Sequence, residues 1–327
     1  MGDRRPALAR AASEVVWKLT ADQPARITRL RGGVMNDKYL VASTSATRYV
    51  VRFYSKANAA ALSYEPDLVK KLRREGLPVA RVIGDSRSGP DAPLPYMAYE
   101  YLPGSALRSR FSALSLPTRR RITGQLAEFL FSLGSLPVTG YGELVDSQTG
   151  RYDSWAEFIE TSLSEGIADA ARHGSLPVEV IHQVDSIQAS LRCFDPPERP
   201  TLAWGDILTN NLLIDEDGAL AGIVDFEGTL AAEHALNLGY CRAAYGLSAQ
   251  LSRYLMEASE GKLEPDTDRL NLYTVLRGVR VARFAHLPLP TGHRRRSVLT
   301  LFPGVRPAAR ALAGRVAGRT AAQRSGK

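Results

Sequence analysis

The chain has 327 residues, 44% of them hydrophobic and 23% charged, which is enough for two lobes with their own cores. No apolar run is long enough to cross a bilayer, and two cysteines, Cys193 and Cys241, are too few for a disulfide framework or a Cys-based zinc site. The formal net charge of +8 belongs to the end of the chain: residues 293–327 hold eight Arg, one Lys and no acid, against 33 basic and 34 acidic residues in 1–292. The body is therefore close to neutral, which argues against nucleic acid as the partner, and the basic segment 293–327 is expected to be a mobile, solvated tail.

The start, MGDRRPALARAASEVVW, lacks the apolar core of a secretory signal and the Ser/Thr of a myristoylation site. Together with the sparse cysteines, this gives the expectation of a cytoplasmic protein with reduced thiols. Two short strands then flank a Gly-Gly bend in ITRLRGGVMNDKYLVAS, and TRYVVRFYS reads as a third strand. A helix over AAALSYEPDLVKKLRREGLP ends at Gly76 and Pro78, with Pro66 marking an early turn or kink. PVARVIGDS and PYMAYEYLPG read as two more strands, and LPG at 102–104 is a natural lobe boundary. Residues 1–102 thus form a β-rich lobe with one helix.

Helical periodicity follows. Ile122, Leu126, Phe129, Leu130 and Leu133 share one face. Further amphipathic helices lie at 154–174, 178–194, 231–247 and 269–287, and a single small hairpin pairs NLLID with AGIVDF. Residues 103–292 thus form a mainly helical lobe, and the fold class is α+β.

The chemistry is concentrated around that hairpin. In GDILTNNLLI, Asp206 precedes Asn211 by five residues, and Asp225 follows on the next strand in GIVDFEG. Phosphoryl transfer from a nucleotide needs a carboxylate to orient the attacking hydroxyl, hard oxygen ligands for magnesium, and positive charge on the phosphates. One acid and one amide on a loop entering a strand, with a second acid across the hairpin, can supply the first two.

These residues resemble the aminoglycoside phosphotransferase family, small-molecule kinases with a two-lobed protein-kinase-like fold that include choline and homoserine kinases. The family's His-Gly-Asp, four residues, Asn, and then Asp-Phe, are matched here by WGDILTNN and VDFEG. The resemblance, over roughly residues 25–245, implies that Asp206 is the catalytic base and that Asn211 and Asp225 bind Mg2+. It implies that Arg52, in VVRFY, contacts the phosphates of ATP and that Glu65 holds Arg52 in place. Gly32, Gly33 and Asn36 would form the turn over the phosphates, and backbone groups of Glu100 and Leu102 would meet the base.

Two positions depart from the family pattern. Trp204 stands in place of the usual His, and Asn237 in place of an Asp that braces the catalytic loop. They leave open a nucleotide- or partner-binding module that transfers nothing. Glu227, beside the Asp-Phe pair, could touch metal or substrate. Seven acids between 143 and 172, among them Asp153 and Glu157, face only Arg151 and Arg172 in the same stretch. An acidic cleft of this kind suits a cationic acceptor, an aminoglycoside-like or other sugar-containing antibiotic or its precursor. An amino alcohol or a simple sugar is the alternative. The expected partner is thus a small molecule with a free hydroxyl.

Overall fold

The structure, a computed structural model, describes residues 5–30, 36–243, 247–259, 266–282 and 303–325. Its N-terminal part is built on five antiparallel strands: β1 (Pro24–Leu30), β2 (Asp37–Ser43), β3 (Arg48–Phe53), β4 (Val82–Asp85) and β5 (Tyr96–Glu100), in the order β1-β2-β3-β5-β4. Side chains alternate between its faces. Tyr39, Val41, Tyr49, Val51, Phe53, Tyr96 and Ala98 form the core under α1 (Arg5–Thr20). Lys38, Arg52 and Met97 lie in register across β2, β3 and β5, with Val50 and Tyr99 one step along, and this second face looks toward the rest of the molecule.

Helix α1 lies outside the single helix expected in this lobe. Its buried residues Leu8, Ala11, Ala12, Val15 and Val16 follow the i, i+3, i+4, i+7, i+8 stripe of a helix laid on a sheet. Helix α2 (Glu65–Arg74) carries Pro66 in its first turn, so the proline starts the helix instead of kinking it.

The larger part is mainly helical: α3 (Leu107–Arg110), α4 (Leu116–Ser135), α5 (Trp155–His173), α6 (Val178–Gln188), α7 (His234–Ala243), α8 (Leu247–Ala258), α9 (Thr267–Ala282) and α10 (Val305–Ser325). Ser115 and Ser154 cap α4 and α5 by accepting the backbone N–H groups of Thr118 and Glu157. In place of one hairpin there are two small sheets. The first joins β6 (Ser105–Ala106), β10 (Leu212–Ile214) and β11 (Leu220–Ile223); the second joins β7 (Tyr141–Leu144), β8 (Gly150–Tyr152), β9 (Thr201–Ala203) and β12 (Leu230–Ala232). Strands of two to four residues are too short to show an alternating pattern.

The two parts share one core. Leu68, Leu72 and Val79 belong to the same apolar cluster as Phe129, Trp204, Ile223 and Phe226. The Ile223 N–H also donates to the Pro78 carbonyl at 2.8 Å, tying the β10–β11 hairpin to the segment after α2.

The expectation of a mobile tail over 293–327 fails in its second half. Helix α10 buries Val305, Ala308, Ala309 and Leu312 against the cluster that contains Val184 of α6 and Val275 and Val279 of α9. Arg315 is paired with Asp268 at 2.9 Å. Small apolar residues at i, i+3, i+4 and i+7 make α10 an amphipathic helix with Arg306, Arg310 and Arg315 on its exposed face, which composition alone reads as a basic tail. Residues 293–302 lie outside the described residues.

Candidate active site

The loop 204–211 is held by its neighbours on three sides. Gly205 has φ +73°, and a Cβ there would run into the Gly228 carbonyl, so only glycine makes this turn. Its N–H donates to Asn237 Oδ1 at 3.3 Å. Trp204 is fully buried against Phe129 and Phe226, and its Nε1–H donates to the Asp225 carbonyl at 2.8 Å. The two departures from the family pattern are thus braces of the loop. The indole N–H ties the two acidic segments together, and the Asn amide oxygen accepts from the turn as a carboxylate would.

The loop presents Asp206 between two donors. Asn211 Nδ2 donates to Asp206 Oδ2 at 2.7 Å, and Arg277 Nη2 of α9 donates to Oδ1 at 2.7 Å. Burial pushes the Asp206 carboxyl up; Arg277 and Asn211 pull it back, the Asp225 charge adds to the rise, and the net result lies above the ordinary aspartate value. A carboxylate made more basic this way and held by two bonds is an oriented proton acceptor.

Asp225 follows β11 in a left-handed conformation, φ +76°, which aspartate tolerates better than most residues. Its Oδ1 accepts from Arg52 Nη1 at 3.0 Å and its Oδ2 from Lys38 Nζ at 3.0 Å. Burial raises its pKa, but Arg52 and Lys38 outweigh that and hold it below the ordinary value. Asn211 is its neighbour across the hairpin mouth, since the Val224 N–H donates to the Asn211 carbonyl at 3.0 Å.

Arg52, 1% exposed, is the centre of a charge cluster. Its Nη1 and Nη2 form a fork on Glu65 at 2.9 and 2.7 Å, and Nη2 also donates to Glu227 Oε2 at 2.7 Å. Glu65 further accepts from Tyr54 Oη–H at 2.7 Å and from the Phe226 N–H at 2.9 Å. Glu227 is gripped by Asn36 Nδ2 at 2.6 Å and Asn58 Nδ2 at 3.0 Å, and its carbonyl accepts from the Tyr64 hydroxyl. Burial pushes the Glu227 carboxyl up to about 7, with Arg52 pulling against it and Asp225 and Glu65 adding to the rise.

The structure thus brings together Asp206 with Asn211, and Asp225 with Arg52, Glu65, Glu227 and Asn36. Gly32 and Gly33 lie outside the described residues. The Glu100 N–H donates to the Arg81 carbonyl at 2.9 Å, so it is taken up inside the protein, and the Glu100 carboxylate pairs with Arg81. Leu102 packs over Gly222 of β11.

Asp153 and Glu157 are exposed at the start of α5, and no hydrogen bond or ion pair among the described residues joins them to Asp206. The acidic stretch 143–172 is also better compensated than its sequence suggests, because Glu143 pairs with Arg280 of α9 at 2.6 Å. Trp155 is 2% exposed and bonded to Tyr273, so it is a core residue.

Two site residues escaped the sequence reading. Lys38 reaches the site because β2 is registered on β3, and register is not readable from one strand. Arg277 carried a signal that was passed over: with Arg280 it is one of two charged residues in the mainly apolar run YTVLRGVRVA of a mostly buried helix.

A sequence model described as the phosphotransferase enzyme family matches residues 26–273. The chain belongs to this family. The phosphotransferase match spans both parts of the fold and every site residue described above except Arg277. Solved structures share the kinase-like α+β fold at low identity. One is a thermostable variant of aminoglycoside phosphotransferase APH(4)-Ia in ternary complex with AMP-PNP and hygromycin B, with TM-score 0.62, 17% identity, and 94% of this chain and 96% of that one covered. Another is the streptomycin–ATP–APH(2″)-IIa ternary complex, with TM-score 0.61, 15% identity and coverage of 92% and 95%. A third, a GDP complex of a mutant aminoglycoside 2′-phosphotransferase-IIIa, has TM-score 0.62, 16% identity and coverage of 94% and 97%. No curated protein sequence matches significantly. No described helix is long and apolar enough to cross a membrane.

Proposed function

We propose that this phosphotransferase moves the γ-phosphoryl group of ATP to a hydroxyl of a small molecule, and that the acceptor is an aminoglycoside-like or other sugar-containing compound. The observation that carries the reading is Asp206, held by Asn211 and Arg277 with its basicity raised, beside an Asp225 surrounded by cations. Asp206 would accept the proton of the attacking hydroxyl as its oxygen bonds to the γ-phosphorus and the bridging oxygen leaves with ADP. Glu65 fixes Arg52, and Arg52 fixes Asp225.

The residues fit magnesium. Asn211 and Asp225 offer an amide and a carboxylate oxygen at adjoining strand ends, and magnesium is commonly held by one or two protein ligands together with substrate phosphates. When bound, the ion would neutralise charge on the β- and γ-phosphates. Asn36 and the backbone of Leu102 would contact the nucleotide. Trp204 and Asn237 brace the loop and so favour transfer over a module that only binds. The ligands printed for the related structures, hygromycin B and streptomycin, support a sugar-containing acceptor.

The test is magnesium-dependent transfer from ATP to a panel of aminoglycosides, other sugar antibiotics, simple sugars and amino alcohols, read by mass spectrometry beside Asp206→Ala. A product formed by the wild type alone establishes the activity and the base. A wild type that binds no nucleotide defeats the reading.

A further inference from the structure

We propose that Lys38, and not Arg52, is the side chain that contacts the phosphates of the nucleotide, and that Arg52 is a buried structural tie. The inference rests on the nucleotide-binding reading above.

Arg52 is poorly placed to meet a ligand. Both terminal nitrogens of its guanidinium are engaged, with Glu65, Asp225 and Glu227 as partners, and the group lies over the Tyr54 ring at 4.6 Å. Releasing it toward a phosphate would leave the fully buried Glu65 without its cation, and an uncompensated buried carboxylate is strongly destabilising. A guanidinium locked by a bidentate fork is also the least free of the cationic side chains to turn.

Lys38 differs on each point. It stands directly across from Arg52 on β2, so both side chains rise from the same face of the sheet. Among the described residues its ammonium makes one bond, 3.0 Å to Asp225 Oδ2, and its side chain is 16% exposed against 1% for Arg52. Lys38 is also the second residue of β2, three residues after the sequence segment 31–35 that holds Gly32 and Gly33. A flexible stem with three rotatable donors can leave a carboxylate for a phosphate oxygen by small torsional changes. Asp225 is one of the two residues that would hold magnesium, and with the ion there the Lys38 ammonium would be free for a phosphate oxygen. Lys38 thus serves as the placeholder on Asp225 in the nucleotide-free protein and as the phosphate contact in the loaded one.

The experiment is calorimetric binding of ATP with magnesium, and of adenosine, to the full chain as wild type, Lys38→Met and Lys38→Arg, with thermal unfolding of each. A charge-assisted bond to phosphate is worth about tenfold to a hundredfold in affinity. Lys38→Met should lose about that factor for ATP and keep adenosine affinity within about twofold. Lys38→Arg should retain most of the ATP affinity, and both variants should melt near the wild type. Unchanged ATP affinity in Lys38→Met overturns the inference while leaving the phosphotransferase reading intact. Equal losses for ATP and adenosine also overturn it, since they indicate collapse of the site. A wild type that binds neither ligand removes both.

Discussion

Arg277 Nη2 lies 2.7 Å from Asp206 Oδ1, so a helix from the far side of the larger lobe holds the carboxylate proposed as the base. Asp206 works as a base only when ionised. Burial raises its pKa and Arg277 is the largest influence lowering it, so Arg277→Gln must raise it further. The acid limb of the pH profile of kcat/KM should move to higher pH, with kcat at neutrality falling by about tenfold or more. Measuring initial rates from pH 5 to 9 decides the matter. An acid limb that stays put would show that the pair has no part in tuning the base.

Trp204 should matter to stability in two separable ways. Trp204→Phe keeps an aromatic ring beside Phe129 and Phe226 but loses the bond to the Asp225 carbonyl, at a cost of about 1–3 kcal/mol. Trp204→Ala also empties the packing site and should cost about 3–5 kcal/mol. Urea unfolding of the two variants reads the difference directly: a Trp204→Phe variant as stable as the wild type would mean that the indole N–H contributes nothing, and equal losses would mean that the ring packing adds nothing.

How far the sequence revealed this arrangement depends on the range over which each signal acts. Asp206, Asn211 and Asp225 were legible because their spacing along a short hairpin is local, and the buried face of α4 was legible because a twenty-residue helix repeats its pattern. Arg52 and Glu65 were legible only through the family resemblance. Lys38 was hidden because its role comes from cross-strand register, and Arg277 because it arrives 71 residues after Asp206 on a separate helix. Strands β7, β8, β9 and β12 were hidden by length. The charge balance of the acidic stretch was not legible for the same reason: the residue that neutralises Glu143 is Arg280, far outside it in sequence.

Arg52→Met should be among the most damaging single changes. It strands Glu65, which is fully buried, and loosens Asp225 and Glu227, so unfolding free energy should fall by about 3–5 kcal/mol. Guanidinium chloride titration checks this. A loss below about 1 kcal/mol would place Arg52 among ordinary surface charges.

Glu227 makes stability depend on pH. Its folded-state pKa of about 7 lies above the 4.5 of a free glutamate, so between these values the folded state holds more protons than the unfolded one. Its contribution to stability is therefore fully present below about pH 4.5 and is lost as pH rises through about 7. Glu227→Gln cannot titrate, so the gap between wild-type and variant stability should shift in the variant's favour from pH 5 to pH 8. Urea midpoints at the two pH values test the sign.

Gly278 lies directly under Val305, and a Cβ there would collide with it, while the residue before it reaches forward to Asp206. Helix α9 thus stands between the proposed reaction centre on its front and α10 as its backstop, separated by roughly one helix diameter, about 10 Å. Cutting the chain before Gly304 removes the backstop. The front should then swing out of true, so that nucleotide affinity survives while phosphoryl transfer fails. The arginine-rich end of the sequence, which composition marks as expendable, would then set the aim of the base.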